Sequence, residues 1–349
     1  MPSPVSSAAH TADPAQLALP QHTPLVAAIR DGLVESVHYG SAVALAADGS
    51  VAASAGTPLA PFYPRSALKP LQAVAMLRAG LELPADLLAL AAASHSGAAA
   101  HRDGALRILE MHGLAPTDLE NSTDLPYGTA EREDWLRNGG GATRITQNCS
   151  GKHAAMAATC LLNGWPVEGY LHPTHPLQQL VARTVTDLAG EDPAGVSTDG
   201  CGTPLFALTL TGIARAFGRI AKAAADDDGS PEAAVGLAMQ QHPVMVAGEG
   251  RDVTALMRLL PGAVAKDGFE GVQLVGLADG SAVAVKISDG GDRARMPATV
   301  HLLDALGVDT EPLAGIATAP VLGGGHPVGL LLATDFLNTT QSTPDNEAL

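Results

Sequence analysis

Gly271-Val272-Gln273-Leu274-Val275-Gly276-Leu277-Ala278, then Asp279-Gly280, then Ser281-Ala282-Val283-Ala284-Val285-Lys286-Ile287, reads as two strands around a tight turn. The flanks are β-branched and small apolar residues, and Asp-Gly tolerates the left-handed backbone that a two-residue turn needs. Val264 to Lys266 leads into this hairpin. A second hairpin lies near the other end of the chain: Gly40 to Ala47, Asp48-Gly49, then Val51 to Ala55. Between the two, the period is helical. Helices are predicted over Ser66 to Ala79, Pro84 to Ala93, His101 to His112, Ser150 to Asn163, Pro176 to Leu188, Pro204 to Phe217, Pro231 to Gln241 and Val253 to Leu260, mostly punctuated by Gly, Pro or Asp. One more is predicted over Pro297 to Leu306, and Gly323-Gly324-Gly325 reads as a glycine loop entering a last strand. Strands at both ends and helices between them predict an α/β protein of the α+β kind. A mostly antiparallel sheet joins the two chain ends, with a helical subdomain inserted. The boundaries are a disordered leader over 1–23, one domain over 24–336, and a frayed tail over 337–349. Within the domain the sheet comes from 24–60 and 262–336, and the helical part from about 64–260. The cleft between sheet and helices is the expected place for an active site.

The chain has 349 residues, of which 46% are hydrophobic and only 3% aromatic, so a large core has to be built from Ala, Val and Leu. A net charge of -16 argues against a nucleic-acid or anionic-membrane partner. Three cysteines are too few for a disulfide scaffold. No basic segment followed by an apolar stretch opens the chain, and no apolar run is long enough to span a bilayer. The expectation is a cytoplasmic enzyme with no membrane partner.

Lysine is scarce: Lys69, Lys152, Lys222, Lys266 and Lys286 are the five among 20 basic residues. Arginine serves for a solvated charge, but only lysine can be tuned to lose its proton. Three lysines stand in compact polar contexts. Ser66 and Lys69 share one face of a helix turn, so a desolvated Lys69 could take the Ser66 proton. Lys266 closes an apolar run in Ala265-Lys266-Asp267-Gly268, where Gly268 permits a close backbone approach. Cys149 and Lys152 repeat the three-residue spacing in Asn148-Cys149-Ser150-Gly151-Lys152-His153. Ser94-His95-Ser96-Gly97 ends an apolar helix as a polar pocket wall. Cys149 and Cys201 sit in separate glycine-flanked loops, and three readings of them stand open: a thiolate pair for zinc, a disulfide, or two unrelated small residues. Taken singly, each motif has a plain structural explanation such as a helix cap or a turn. The conjunction in a lysine-poor chain points to chemistry.

Arg65-Ser66-Ala67-Leu68-Lys69-Pro70, Ala93-Ser94-His95-Ser96, Asn148 to His153, Thr198-Asp199-Gly200-Cys201 and His242-Pro243 to Gly248-Glu249-Gly250-Arg251 resemble, in order, the signature stretches of the asparaginase II family, the rhizobial-type L-asparaginases. The resemblance runs from about Leu25 to Ile287. It implies a fold similar to serine β-lactamases and glutaminases, and hydrolysis of L-asparagine to L-aspartate and ammonia without an organic cofactor. It implies catalytic tandems at Ser66 with Lys69 and at Ser94 with Lys266. It implies a zinc held by Cys149, Lys152 and Cys201, and a substrate-binding group of Arg65, Asp199, Lys152 and His153. It also implies a homodimer. Where the rhizobial relative has a further active-site cysteine, this chain has Val253. Two other readings remain: a glutaminase or other Ser-x-x-Lys amidase, and a non-catalytic, zinc-stabilised binding protein.

Overall fold

A computed structural model describes residues 18–337. The expected leader up to residue 17 and the tail from residue 338 lie outside the described residues. The strands are β1 (Thr23–Arg30), β2 (Leu33–Leu45), β3 (Val51–Ala55), β4 (Gly195–Thr198), β5 (Pro204–Ala207), β6 (Val264–Gly268), β7 (Val272–Gly276), β8 (Ala282–Ile287), β9 (Ala319–Gly323) and β10 (His326–Ala333). The main sheet runs β6-β7-β8-β2-β1-β10-β9, with β3 also on β2, and every pairing is antiparallel. The fold is therefore α+β, with one sheet drawn from both chain ends and the helices between. The long strand β2 makes this possible. Its first half pairs with β1 and its second half with β3, while Gly40 to Leu45 pair with Ile287 to Ala282 of β8.

Both hairpins predicted from Asp48-Gly49 and Asp279-Gly280 are present, as is the glycine turn between β9 and β10. Several elements differ: β1 and β4 were not expected as strands, and two further differences concern helices. Pro204 opens a strand, not a helix, and the helix begins only at Leu210 (Leu210–Asp226). The apolar residues Leu205 and Phe206 fit either period, and pairing of β5 with β4 decides for a strand. The helix Thr129–Arg137 was not visible in the sequence because it buries no residue and so has no apolar stripe.

Small side chains let the layers approach closely. The helix Ser150–Leu162 is buried from Ser150 to Cys160. A Cβ on Gly151 would sit 2.4 Å from Leu90 Cγ in the helix Ala85–Ala91. β6 and β7 are buried throughout, with Leu210–Asp226 packed across β7, β8 and β2. No helix among the described residues is long and apolar enough to cross a membrane.

Gly268 positions the site. A Cβ there would lie 2.3 Å from the carbonyl oxygen of Pro64, so β6 touches the turn that carries Ser66, as the sequence led us to expect. Gly268→Ala is expected to lower stability by about 1–3 kcal/mol through this overpacking. Thermal unfolding of the variant checks it; an unchanged midpoint would show that the turn moves away freely.

Candidate active site

Pro64 delivers the chain into a 3-10 turn, Arg65–Leu68, continued by the helix Lys69–Arg78 with Pro70 in its first turn. Arg65 takes a φ of 55°, a left-handed conformation uncommon for a side chain of this size. Its Nε donates to Asp199 Oδ1 at 2.7 Å, and its guanidinium lies 5.3 Å from the Phe269 ring centre. The strained backbone is thus held by an ion pair and an aromatic face immediately before Ser66.

Lys69 is 1% exposed. Its Nζ donates to the carbonyl of Ala93 at 2.5 Å and to Ser94 Oγ at 2.9 Å. Its hydroxyl partner is therefore Ser94, across 25 residues, not Ser66 three residues before it. The segment bearing Ser94 is pinned from two sides. Its amides donate to Val246 and Ala247 on one side and to Asn148 on the other. His95 Nε2 meets Ser150 Oγ at 2.9 Å, and burial holds the ring well below the usual histidine pKa, so it is neutral.

Lys266 is fully buried. It donates to the Asp267 carbonyl at 2.8 Å and to the Asp267 carboxylate. Burial lowers its pKa to about 8; Asp267 works against this, and the charge of Lys69 adds to it. No hydrogen bond joins Lys266 to Ser94. Burial also disfavours the Asp267 carboxylate, but Lys266, Arg295 and Arg251 together hold it well below the usual carboxylate range. Arg251 Nη2 meets Asp267 Oδ2 at 2.8 Å and stacks 4.9 Å from the Tyr127 ring centre. Ser66 and Ser94 line one narrow cleft with Tyr127, Asn148, Asp267 and Asp292. A larger hollow of about 610 Å³ lies between residues 21–24 and 54–56, but no lysine lines it. Size does not locate the chemistry here.

Behind this cleft lies a second cluster. Cys149 caps the helix Ser150–Leu162, and Lys152 follows in its first turn. Cys201 comes from the loop between β4 and β5. Lys152 Nζ reaches Cys201 Sγ at 3.1 Å and Thr203 Oγ1 at 3.0 Å. Cys149 and Cys201 are free thiols, so they are not a disulfide. A hydrogen bond from Cys149, with the charge of Lys152 and the ring of His153, pulls the Cys201 thiol well below its ordinary pKa; Cys149 is pushed up in return. Among the described residues no three His, Cys, Asp or Glu side chains converge, so a third protein ligand beside the two thiols would have to be Lys152. Two sulfurs and an amine in a buried pocket are a donor set that fits a soft divalent ion once the amine gives up its proton. His153 is buried, bonds Tyr170 at 2.7 Å through Nδ1, and is lowered to about 4 by burial. Lys152, His153, Arg65 and Asp199 do not line the cleft.

Hydroxyls beside buried amines, in a cleft between sheet and helices, are the groups an acyl-transfer hydrolase uses. The L-asparaginase II family model matches residues 26–333, and the chain belongs to that family. It is an asparaginase-type amidohydrolase. No individually curated protein matches it. The match extends past Ile287, where the motif resemblance ended, through β9 and β10. Sequence reasoning missed Asp267, Arg295, Tyr127 and Asp292. Only Asp267 carried a signal, its adjacency to Lys266.

The depressed amine has a consequence for stability. Below pH 8 Lys266 is protonated in both folded and unfolded chains. Between about 8 and 10.5 the folded chain has lost the proton and the unfolded chain has not, so stability rises with pH in that window. Relative to a Lys266→Met variant, the wild type is expected to gain up to about 3 kcal/mol from pH 7.5 to pH 10. Urea unfolding at the two pH values measures it; parallel curves for both proteins would exclude the buried titration.

Proposed function

We propose that the chain hydrolyses L-asparagine to L-aspartate and ammonia through an acyl-serine. Ser66 attacks the side-chain amide carbon. Lys69, as the neutral amine, takes its proton, and Ser94 with Lys266 relays a proton to the departing nitrogen as the C–N bond breaks. Water then attacks the ester, and Ser66 recovers its proton. The observation that carries this reading is the Lys69–Ser94 hydrogen bond at 2.9 Å in the cleft that Ser66 also lines, with a second amine buried beside it. Ser66 is the half-buried hydroxyl and Ser94 the buried one, which favours Ser66 as the attacking group. The same hydrogen bond supports a second reading, in which Ser94 attacks. Ammonia release from asparagine and from glutamine separates the substrates. Ser66→Ala is expected to lower kcat/KM for asparagine by about 10⁴ or more, and Ser94→Ala by about 10²–10⁴. Mass spectrometry of the trapped acyl-enzyme assigns the nucleophile; an adduct on the Ser94 peptide would reverse the roles.

We further propose that Cys149, Lys152 and Cys201 hold zinc. Held by these residues, the ion would supply positive charge that keeps both thiols ionised and would tie the helix Ser150–Leu162 to the β4–β5 loop. Elemental analysis is expected to give about one zinc per chain, three protein ligands leaving the fourth position to water, and none in Cys201→Ser. Equal metal content in the two proteins would remove the site.

A further inference from the structure

An amino-acid substrate brings an α-ammonium into a cleft already bordered by cations. Lys69 and Lys266 flank the serines, and Arg251 and Arg295 stand behind Asp267. An ammonium placed there needs a carboxylate with acceptor capacity to spare. Four aspartates lie near, and three are committed. Asp199 accepts from Arg65 Nε at 2.7 Å and from the Gly200 amide at 2.9 Å, and it does not line the cleft. Asp267 is divided between Lys266 and Arg251. Asp252 accepts from Arg295 Nη2 at 2.9 Å and from the Val253 amide at 2.8 Å.

Asp292 differs from all three. It stands on the loop between β8 and the helix Arg295–Ala305, lines the cleft, and has a side chain 53% exposed. Its cationic neighbour is Arg295, whose Nε lies 3.1 Å from Asp292 Oδ1. That contact lacks hydrogen-bond geometry, since Arg295 Nε has no hydrogen-bond partner. Arg295 spends its Nη atoms on Asp252 and Gln273. Asp292 is thus paired electrostatically with Arg295 without accepting a hydrogen bond from it, which leaves acceptor capacity toward the cleft, and its charge reaches Tyr127, another lining residue.

Building on the amidohydrolase reading, we infer that Asp292 is the specificity residue that binds the α-ammonium of the substrate. A carboxylate in this position selects an amino acid over an otherwise identical amide, because a cation-carboxylate hydrogen bond is stronger than a neutral one. An acidic residue ahead of a helix also suits the positive helix end. That role would change stability and leave substrate choice alone.

The test compares L-asparagine with succinamate, which has hydrogen in place of the ammonium. In Asp292→Asn, KM for asparagine is expected to rise about 10- to 100-fold, the range for losing one charge-assisted hydrogen bond. The kcat stays within about threefold, and KM for succinamate does not rise. Asp252→Asn removes the other carboxylate on Arg295 and is expected to keep the wild-type ratio of the two substrates. A wild-type preference for asparagine that persists in Asp292→Asn would overturn the assignment, as would an equal loss in Asp252→Asn. Calorimetric binding of L-aspartate decides the same point without turnover. Weakening in Asp292→Asn alone supports the assignment, and unchanged binding overturns it, even if the wild type releases no ammonia and the amidohydrolase reading fails.

Discussion

Three of the five lysine amines are buried at 1% exposure or less, and the fold has to neutralise each of them. An ammonium taken out of water without a partner costs several kcal/mol. Each finds a different remedy. Lys69 has a carbonyl and a hydroxyl, Lys152 a thiol held low, and Lys266 a carboxylate. These partners are what distinguish the polar centre of the molecule from the alanine- and leucine-rich packing around it. Burial and compensation also oppose one another by design of the site. Burial brings Lys266 down to about 8, within reach of proton exchange near neutrality, while Asp267 keeps it from falling further.

The partners come from distant parts of the chain, so packing decides the chemistry. The helix start at Lys69, the segment after the helix Ala85–Ala91, and the end of β6 meet because glycines admit close contacts. Gly151 lets one helix rest on Leu90, and Gly268 lets a strand rest on the Pro64 carbonyl. The two clusters are electrostatically joined as well. The charge of Lys69 is felt by Cys149 as well as by Lys266, so the cleft and the thiol cluster behave as one polar system.

The parts of this architecture written in short-range pattern were legible. Asp-Gly between alternating apolar runs announced two hairpins, and helix lengths followed from Pro and Gly punctuation. The turn at Asp31-Gly32, between β1 and β2, carries the same dipeptide, but Pro24 to Ile29 is an unbroken apolar run and Leu33 to Val37 is interrupted by Glu35-Ser36, so no alternation frames it. Lys69, Lys152 and Lys266 stood out by scarcity, and all three are buried. Their partners did not stand out. Spacing suggested Ser66 for Lys69, yet the side chain runs to Ser94, a choice made by tertiary packing. Asp267 follows Lys266 on a strand, where neighbours ordinarily point to opposite faces, so nothing in the alternation foretold their contact. Asp292 sits in a Gly-Gly-Asp-Arg turn indistinguishable from a solvated loop until the cleft is drawn.

The ordering of the polar centre along the chain has a further meaning for how the molecule comes into being. Ser66, Lys69 and Ser94 are synthesised early, whereas Lys266 arrives on β6, and the sheet is completed only afterwards, by β7 and β8 beside β2 and then by β9 and β10 beside β1. A nascent chain emerging from the ribosome thus holds its hydroxyls long before the second amine, and contacts of such long sequence separation form late. A chain that stops before β6 therefore lacks both the third buried amine and the strand that rests on the Pro64 carbonyl.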